Sequence, residues 1–374
     1  MFTFLPAFAE GTGISVQAMS RVIGARDMSG LAAPIVASRV KSWGTWSTMT
    51  WAGLTSSIGL AMMLMGPPGV VIGLIVWGIS RTAYLVSVST WVADAVAYER
   101  RGRASGLLEL TWAGAALGGL PLIGLLIDQV GWWAAPSALS LLGAPIALWS
   151  WRLGSRLNTQ QATTGPRASS YPDESANASS HTDGGRRSWM VDRSTMLAIS
   201  GFALQAGSAQ FIFFTHGLWL KDTYGFNPMK AGAAIMMIGL AEALSSSATS
   251  LFTDRLGKRN SVVLGSAVMA ASFAALALFP APRLLVGLGL LALAFLGFEF
   301  SIVSSMPLIT ELEPENRSAT IGASTASGTA TRALVTVVAG PLYVMTSFGF
   351  TMAIACAAAI TGMSMTWFLV AEPS

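Results

Sequence analysis

Six ionisable residues lie deep inside long apolar runs of this chain: Arg26, Asp27, Arg81, Glu242, Glu299 and Arg332. A charge at the centre of a hydrocarbon layer costs about 2.5–3.5 kcal/mol on insertion scales, so it persists where it pairs or works. The six sum to three positive and three negative charges, and a balanced set can pair and lower its desolvation cost. Both a structural ion-pair network and a proton or solute site are open for each residue. A carboxyl group withdrawn from water can load and release protons near neutral pH. Glu299 is the leading candidate for that chemistry and Glu242 the next. Arg26 and Asp27 are successive on one helix, so they point about 100° apart and do not both face one partner squarely. Asp27 is instead matched in depth to Arg81, which would then control whether a nearby acid carries a proton.

The elements that hold these charges are membrane-crossing helices. Hydrophobic residues make up 53% of the 374 positions and charged residues 11%, against roughly 25% charged in an average soluble domain. Mean hydropathy is +0.59. A soluble chain of this composition would expose surface that water cannot solvate. Runs of about 20 apolar residues cross a bilayer as helices, because backbone groups in lipid must be satisfied internally. Eleven such runs occur: 15–37, 45–65, 69–93, 105–127, 132–151, 195–215, 229–251, 261–280, 284–309, 318–343 and 347–370. They are too long and unbroken for the strands of a membrane barrel. Counting inward at about 1.5 Å per residue puts the six charges roughly 14–21 Å deep in a core ~30 Å thick.

The cations orient the chain. Fifteen Lys and Arg fall in one set of alternating loops, among them Arg39, Arg101, Arg103, Arg255, Lys258, Arg259 and Arg317, and three fall in the other. Such an excess marks the cytosolic side. The central polar stretch and the C-terminus are therefore expected in the cytosol, where the sequon at Asn177 reads as a chance match. The basic balance is an orientation signal and not a nucleic-acid footprint. That polar stretch, 152–193, reads as a flexible linker between helical bundles at 1–151 and 194–374.

The two bundles repeat. Arg39 and Arg255 are 216 residues apart, as are Arg101 and Arg317, and Gly106 and Gly322. Parallel duplicated halves mark one class of secondary transporter. Gly13-Ile14-Ser15 corresponds to Gly225-Phe226-Asn227 at an offset of 212. By that register the chain starts inside its own first helix, with 1–9 as its outer end, and a truncated or misassigned start is expected. The spans are numbered here as if twelve existed, so 15–37 is span 2 and 347–370 is span 12.

These landmarks resemble the major facilitator superfamily. Asp254-Arg255-Leu256-Gly257-Lys258-Arg259, between spans 8 and 9, is similar to the family's loop motif; in the first half Ser38 and Trp43 replace its Asp and final Arg. Arg81 with the Arg100-Arg101-Gly102-Arg103 loop resembles the family's span 4 motif. Gly114, Gly118, Gly119, Pro121 and Gly124 resemble its span 5 motif associated with exporters, although Leu120 splits the Gly-Pro pair. The resemblance implies an all-α fold of two six-helix bundles, here eleven full spans plus a partial first one. It implies gating by the basic loops, with Glu109 near the cytosolic edge of span 5 as a further candidate. It implies that span 10, and so Glu299, lines a central cavity. Physically, Gly119 and Pro121 permit close helix approach and a bend.

In span 7, Gln205 and Gln210 could contact a solute or join helices. His216, near the outer end of that span, could bind solute or sit at the interface. One cysteine, Cys356, excludes an intramolecular disulfide and a cysteine-built metal site. No phosphate loop or hydrolase motif occurs, so neither an enzyme nor a cofactor is expected. The reading is a multi-pass protein of the plasma membrane, monomeric, exporting a small organic solute against protons. An uptake symporter or facilitator is the first alternative, and a non-transporting receptor or assembly protein the second.

Overall fold

A computed structural model describes residues 2–96, 111, 114–164, 193–313 and 317–370; these are almost wholly helical, with no strand among them. The expectations for Arg101, Arg103 and Glu109 lie outside the described residues, as do the side chains of Glu242, Asp254 and Arg317. Six of the described helices are long and apolar enough to cross a bilayer: Thr45–Met65, Pro67–Val92, Arg193–Tyr224, Lys258–Leu278, Leu284–Leu312 and Phe348–Phe368. They form spans 3, 4, 7, 9, 10 and 12. Pro228–Leu256 and Arg317–Met345 form spans 8 and 11. Span 6, Ala134–Thr164, runs on as helix past the boundary expected at 151.

Two spans are broken, and both breaks have a proline beside them. Span 2 is Val16–Met28, a tighter 3-10 turn at Ser29–Ala32, then Ala33–Trp43 with Pro34 in its first turn. In span 5 a π-helical turn, Ala115–Gly119, leads into Leu120–Val130, with Pro121 in its first turn. Proline has no N–H to return to the preceding turn, so the ladder tightens or widens there.

The repeat is visible in the packing. Span 9 packs on spans 10 and 12 as span 3 packs on spans 4 and 6, and span 8 meets span 10 as span 2 meets span 4. The segments Phe2–Phe4 and Leu5–Thr12 pack against span 7. The turns match too. Gly13 and Gly225 adopt φ 69° and 66°, each followed by a capped helix: Ser15 Oγ accepts from Ala18 N–H (3.2 Å) and Asn227 Oδ1 from Lys230 N–H (3.0 Å). Gly44 and Gly257 both adopt φ 83°, a region that favours glycine. They are 213 residues apart, so the 216-residue register fails at this turn. Lys41, not Ser38, stands opposite Asp254, and Arg39 falls nearly a helical turn before the position matching Arg255. The turn geometry fixes this register, whereas matching one arginine to another does not.

The halves join through spans 2 and 11 and through spans 5 and 8. Span 2 uses Val16–Ala32 for this contact, while Ala33–Trp43 packs on spans 3 and 4 instead. Accordingly Ser20, Ile23, Ala333, Thr336 and Ala339 are buried, whereas Ile35, Arg39, Ile321, Gly322 and Ala323 are exposed. Among the described residues, spans 2 and 11 are thus packed together away from the basic loops and part toward the end that carries Arg39 and Arg255. Spans 5 and 8 cross glycine on glycine: a Cβ at Gly124 would lie 2.5 Å from Pro228 O and 3.3 Å from Gly232 Cα. Close approach was expected at Gly119 and Pro121; a Cβ at Gly232 would lie 3.2 Å from Pro121 Cα, but among the described residues one at Gly119 would meet nothing nearer than Ala115 Cβ at 3.9 Å, and one at Gly114 or Gly118 nothing within 4 Å. The crossing lies beyond the π-turn, one helical turn later.

Gly124→Ala should therefore destabilise the purified protein by about 1–3 kcal/mol through overpacking. Gly118→Ala should stabilise it by about 0.5–1 kcal/mol through helix propensity. Thermal unfolding of the two variants in one detergent measures the opposite signs.

Candidate functional site

Between the halves lies a cavity of about 470 Å³. Four of the six deep charges line it: Arg26 and Asp27 from span 2, Arg81 from span 4 and Arg332 from span 11. Both helix breaks contribute wall, through Ser29 and Gly30 and through Ala115 and Ala116. Arg81 and Trp77 also border a smaller cavity of about 220 Å³ between spans 3, 4 and 6.

The charges are held differently from the sequence expectation. Asp27 is bonded by its own neighbour: Arg26 Nε donates to Asp27 Oδ1 at 2.9 Å. The arginine side chain is long enough to curl back across the angle that separates successive residues. Its guanidinium lies 5.6 Å from the Phe2 ring centroid and 5.2 Å from that of Trp77, contacts that favour a cation. Arg81 is near enough to Arg26, Asp27 and Arg332 to interact with their charges.

Arg332 is anchored by a polar chain inside its own half. Its Nε donates to Gln210 Oε1 (3.0 Å), Gln210 Nε2 donates to Thr336 Oγ1 (2.8 Å), and Thr336 Oγ1 donates to Arg332 O (2.9 Å). The guanidinium lies 5.7 Å from the Phe213 centroid. Glu299, half-buried on span 10, interacts with its charge but is not among the residues lining the cavity. Gln205 and Gln210 do not line it either. Gln210 positions Arg332, and Gln205 accepts from Ser301, which in turn bonds Ser266 on span 9.

His216 is buried and lines the cavity, well inside the interface where its position near a span end would put it. Nδ1 donates to Ile212 O at 3.1 Å, so the neutral ring accepts the Thr3 hydroxyl at Nε2, 3.0 Å away. This hydrogen bond ties the first segment to span 7. Backbone crowding does the same beside it, since a Cβ at Gly217 would fall 2.5 Å from Thr3 O.

The closed end carries polar links that charge pattern did not single out. Glu10 pairs with Lys221, and Asn227 Nδ2 donates to Asp128 Oδ2 at 3.2 Å. Lys221 had a signal in the sequence, being a cation on the otherwise cation-poor side. At the basic end, Lys258 pairs with Glu311, while Arg259 bonds Val370 O (3.3 Å) and lies 5.3 Å from the Trp367 ring. These two basic residues brace their own half.

A profile of the major facilitator superfamily matches residues 1–336. The chain belongs to the major facilitator superfamily. It is thus an integral multi-pass membrane protein, of a transporter family that is generally not enzymatic. An uncharacterized MFS-type transporter, YceJ, of Bacillus subtilis (strain 168) is 27% identical over 187 residues; the match covers 50% of this chain and 45% of that relative, less than half its length. Among solved structures, a bacterial homologue of the iron transporter ferroportin in an inward-facing state superposes with a TM-score of 0.69 at 14% identity, covering 98% of this chain and 92% of that one. An auto-inhibited peptide transporter of the POT family gives 0.68 at 12% identity, covering 97% and 92%. At these identities the likeness is one of fold, and this superfamily member shares with both the arrangement of two packed helical halves.

An exposed ion pair contributes about 0.2–1 kcal/mol. Lys221→Glu should therefore raise the reactivity of a cysteine placed at Thr3 by no more than about fivefold, and pairing it with Glu10→Lys should restore the original rate. A membrane-impermeant thiol reagent on a Cys356→Ser background measures it.

Proposed function

We propose that this chain is a secondary active transporter that exports a small organic solute against protons by alternating access. The observation that carries this reading is a cavity at the meeting of the halves, packed shut toward one end of the span 2–span 11 seam and open toward the other, with charged residues in its wall. In a parallel-repeat transporter the halves rock around such a midplane site. The halves correspond to 1–151 and 194–374, joined by 152–193. The excess of Lys and Arg in the basic loops supports a cytosolic side for the open end of the seam, and the plasma membrane is the proposed location. A cavity open to the cytosol is ready to load solute for export.

Glu299 is the proposed proton carrier, because it combines partial burial in span 10 with an electrostatic link to Arg332 in the cavity wall. Protonation of Glu299 would alter the field at Arg332 and so the affinity for solute. Arg81 is proposed to tune the Arg26–Asp27 pair in the same way from the other half. The gating role proposed for Lys258 and Arg259 is to keep their half rigid as it moves. The span 5 motif supports export through its π-turn, which lines the cavity and precedes the crossing at Gly124.

The test is transport in proteoliposomes. Glu299→Gln should abolish solute movement driven by an imposed proton gradient while keeping solute exchange at equal pH within about twofold. Full gradient-driven transport in Glu299→Gln, or an uncoupler that leaves accumulation in intact cells unchanged, would remove the proton-coupled export reading. In that case uptake or facilitated movement takes its place.

A further inference from the structure

The smaller cavity, of about 220 Å³, lies between spans 3, 4 and 6 of the first half. Spans 4 and 6 each pack along span 3, and the cleft is the space left between them. Its back is pinned by small residues. A Cβ at Gly53 of span 3 would lie 2.9 Å from Ala147 Cβ of span 6, and one at Gly154 of span 6 would lie 2.5 Å from Trp46 Cβ of span 3. These contacts hold spans 3 and 6 at a fixed spacing.

The chemistry of the wall suits hydrocarbon. Met49, Ala52, Leu60 and Ile146 line it. Three of its hydroxyls are spent on their own helices: Ser57 donates to Gly53 O (3.1 Å), Ser80 to Val76 O (2.8 Å) and Ser150 to Ile146 O (3.0 Å). A serine that bonds back to its own helix in this way asks for no polar ligand. Leu139 and Ile146, at the mouth, are exposed, so the cleft is continuous with the apolar outer face of span 6. The lining on span 6 runs from Leu139 to Ser150. At 1.5 Å per residue that is about 16 Å, close to one leaflet of a ~30 Å core. At the basic end of the cleft the same helix exposes Trp149, Trp151, Arg152 and Arg156. Tryptophan favours the membrane interface, and arginine there extends its head to the level of the lipid headgroups.

We infer that this cleft holds one acyl chain of an anionic phospholipid from the leaflet on the basic side, with the lipid phosphate at Arg152 and Arg156. A tail gains little by leaving other tails for an apolar cleft, so the headgroup decides which lipid stays. A basic residue near the surface favours an anionic lipid by about fivefold, and the arginine fork meets two phosphate oxygens at once. The bound chain would also back the wall that Trp77 and Arg81 share with the central cavity. The site does not depend on the transport reading above.

The experiment uses the purified full chain in detergent with two lipids that carry the same palmitoyl and oleoyl chains, phosphatidylglycerol and phosphatidylcholine. From an equimolar mixture, native mass spectrometry should show phosphatidylglycerol retained at least fivefold over phosphatidylcholine. Arg152→Gln together with Arg156→Gln should bring that ratio to within about twofold of parity. Arg283→Gln, in the loop before span 10, should leave it unchanged. A phosphatidylglycerol with a diazirine in mid-chain should label spans 3, 4 or 6 at the cleft on irradiation. Ser56→Leu, which narrows the cleft, should cut that labelling at least fivefold. Thermal unfolding checks the fold of each variant, and if Ser56→Leu fails to fold, the exposed arginine pair decides. Equal retention of the two lipids, a preference that survives loss of both arginines, or labelling confined to other spans would overturn the inference. So would a membrane polypeptide that co-purifies in place of the lipid.

Discussion

An arginine in the middle of a bilayer cannot shed its proton and cannot be left to hydrocarbon. Three of them in one chain constrain what surrounds them. Each must find acceptors, aromatic faces or water, and these needs shape the cavity. Arg26 finds Asp27, Phe2 and Trp77. Arg332 finds Gln210 and Phe213. The helix breaks in spans 2 and 5 open the same region, because backbone that departs from the regular ladder is tolerated at this depth where it lines a cavity or is buried in protein.

The two ends of the molecule rest on different physics. At the closed end, backbone meets backbone at Gly124 and Gly232 and at Gly217 and Thr3, so dispersion over close-packed surfaces holds it. At the basic end, Ala33–Trp43 turns from span 11 to its own half. Its turn and that between spans 8 and 9 are each set by a glycine at φ 83°. Lys258, Arg259 and their partners then fasten the turn to spans 10 and 12. Rigid halves with a loose seam between them follow from this division.

Much of this was legible in the chain itself. Apolar length alone located the spans, because a bilayer demands it, and the family was legible in its loop and span motifs. The deep charges stood out for the same reason, and four of the six meet in one cavity. What failed to show was direction. Gln205 and Gln210 are alike in type and depth, yet one spends its amide on a serine chain and the other on Arg332; only the facing helix decides. Gly119 and Gly124 are likewise equivalent in sequence, and the π-turn between the motif's start and the crossing shifts the contact by a helical turn. His216 looked peripheral because span 7 continues past it to Tyr224. The Arg26–Asp27 bridge was discounted on Cβ direction, which a side chain with four torsions can overrule.

The hydrogen bonds of Arg26 and Arg332 described above sort by half. The Arg26–Asp27 bridge lies wholly on span 2, and the Arg332–Gln210–Thr336 chain wholly on spans 7 and 11. In the rocking motion proposed above, each would travel with its own half, and these bonds would not need to break. Of the polar contacts that cross, Glu10 with Lys221 and Asn227 with Asp128 sit at the solvated rim, where such links contribute about 1 kcal/mol or less, whereas Thr3 with His216 and Ser20 with Val337 O lie inside the seam. In the rocking motion proposed above, these cross-seam bonds would have to part at the closed end before the cavity could open there. The charges also feel one another across the seam, Arg81 with Arg332 and Asp27 with Arg332, so such a motion would change the field inside the cavity.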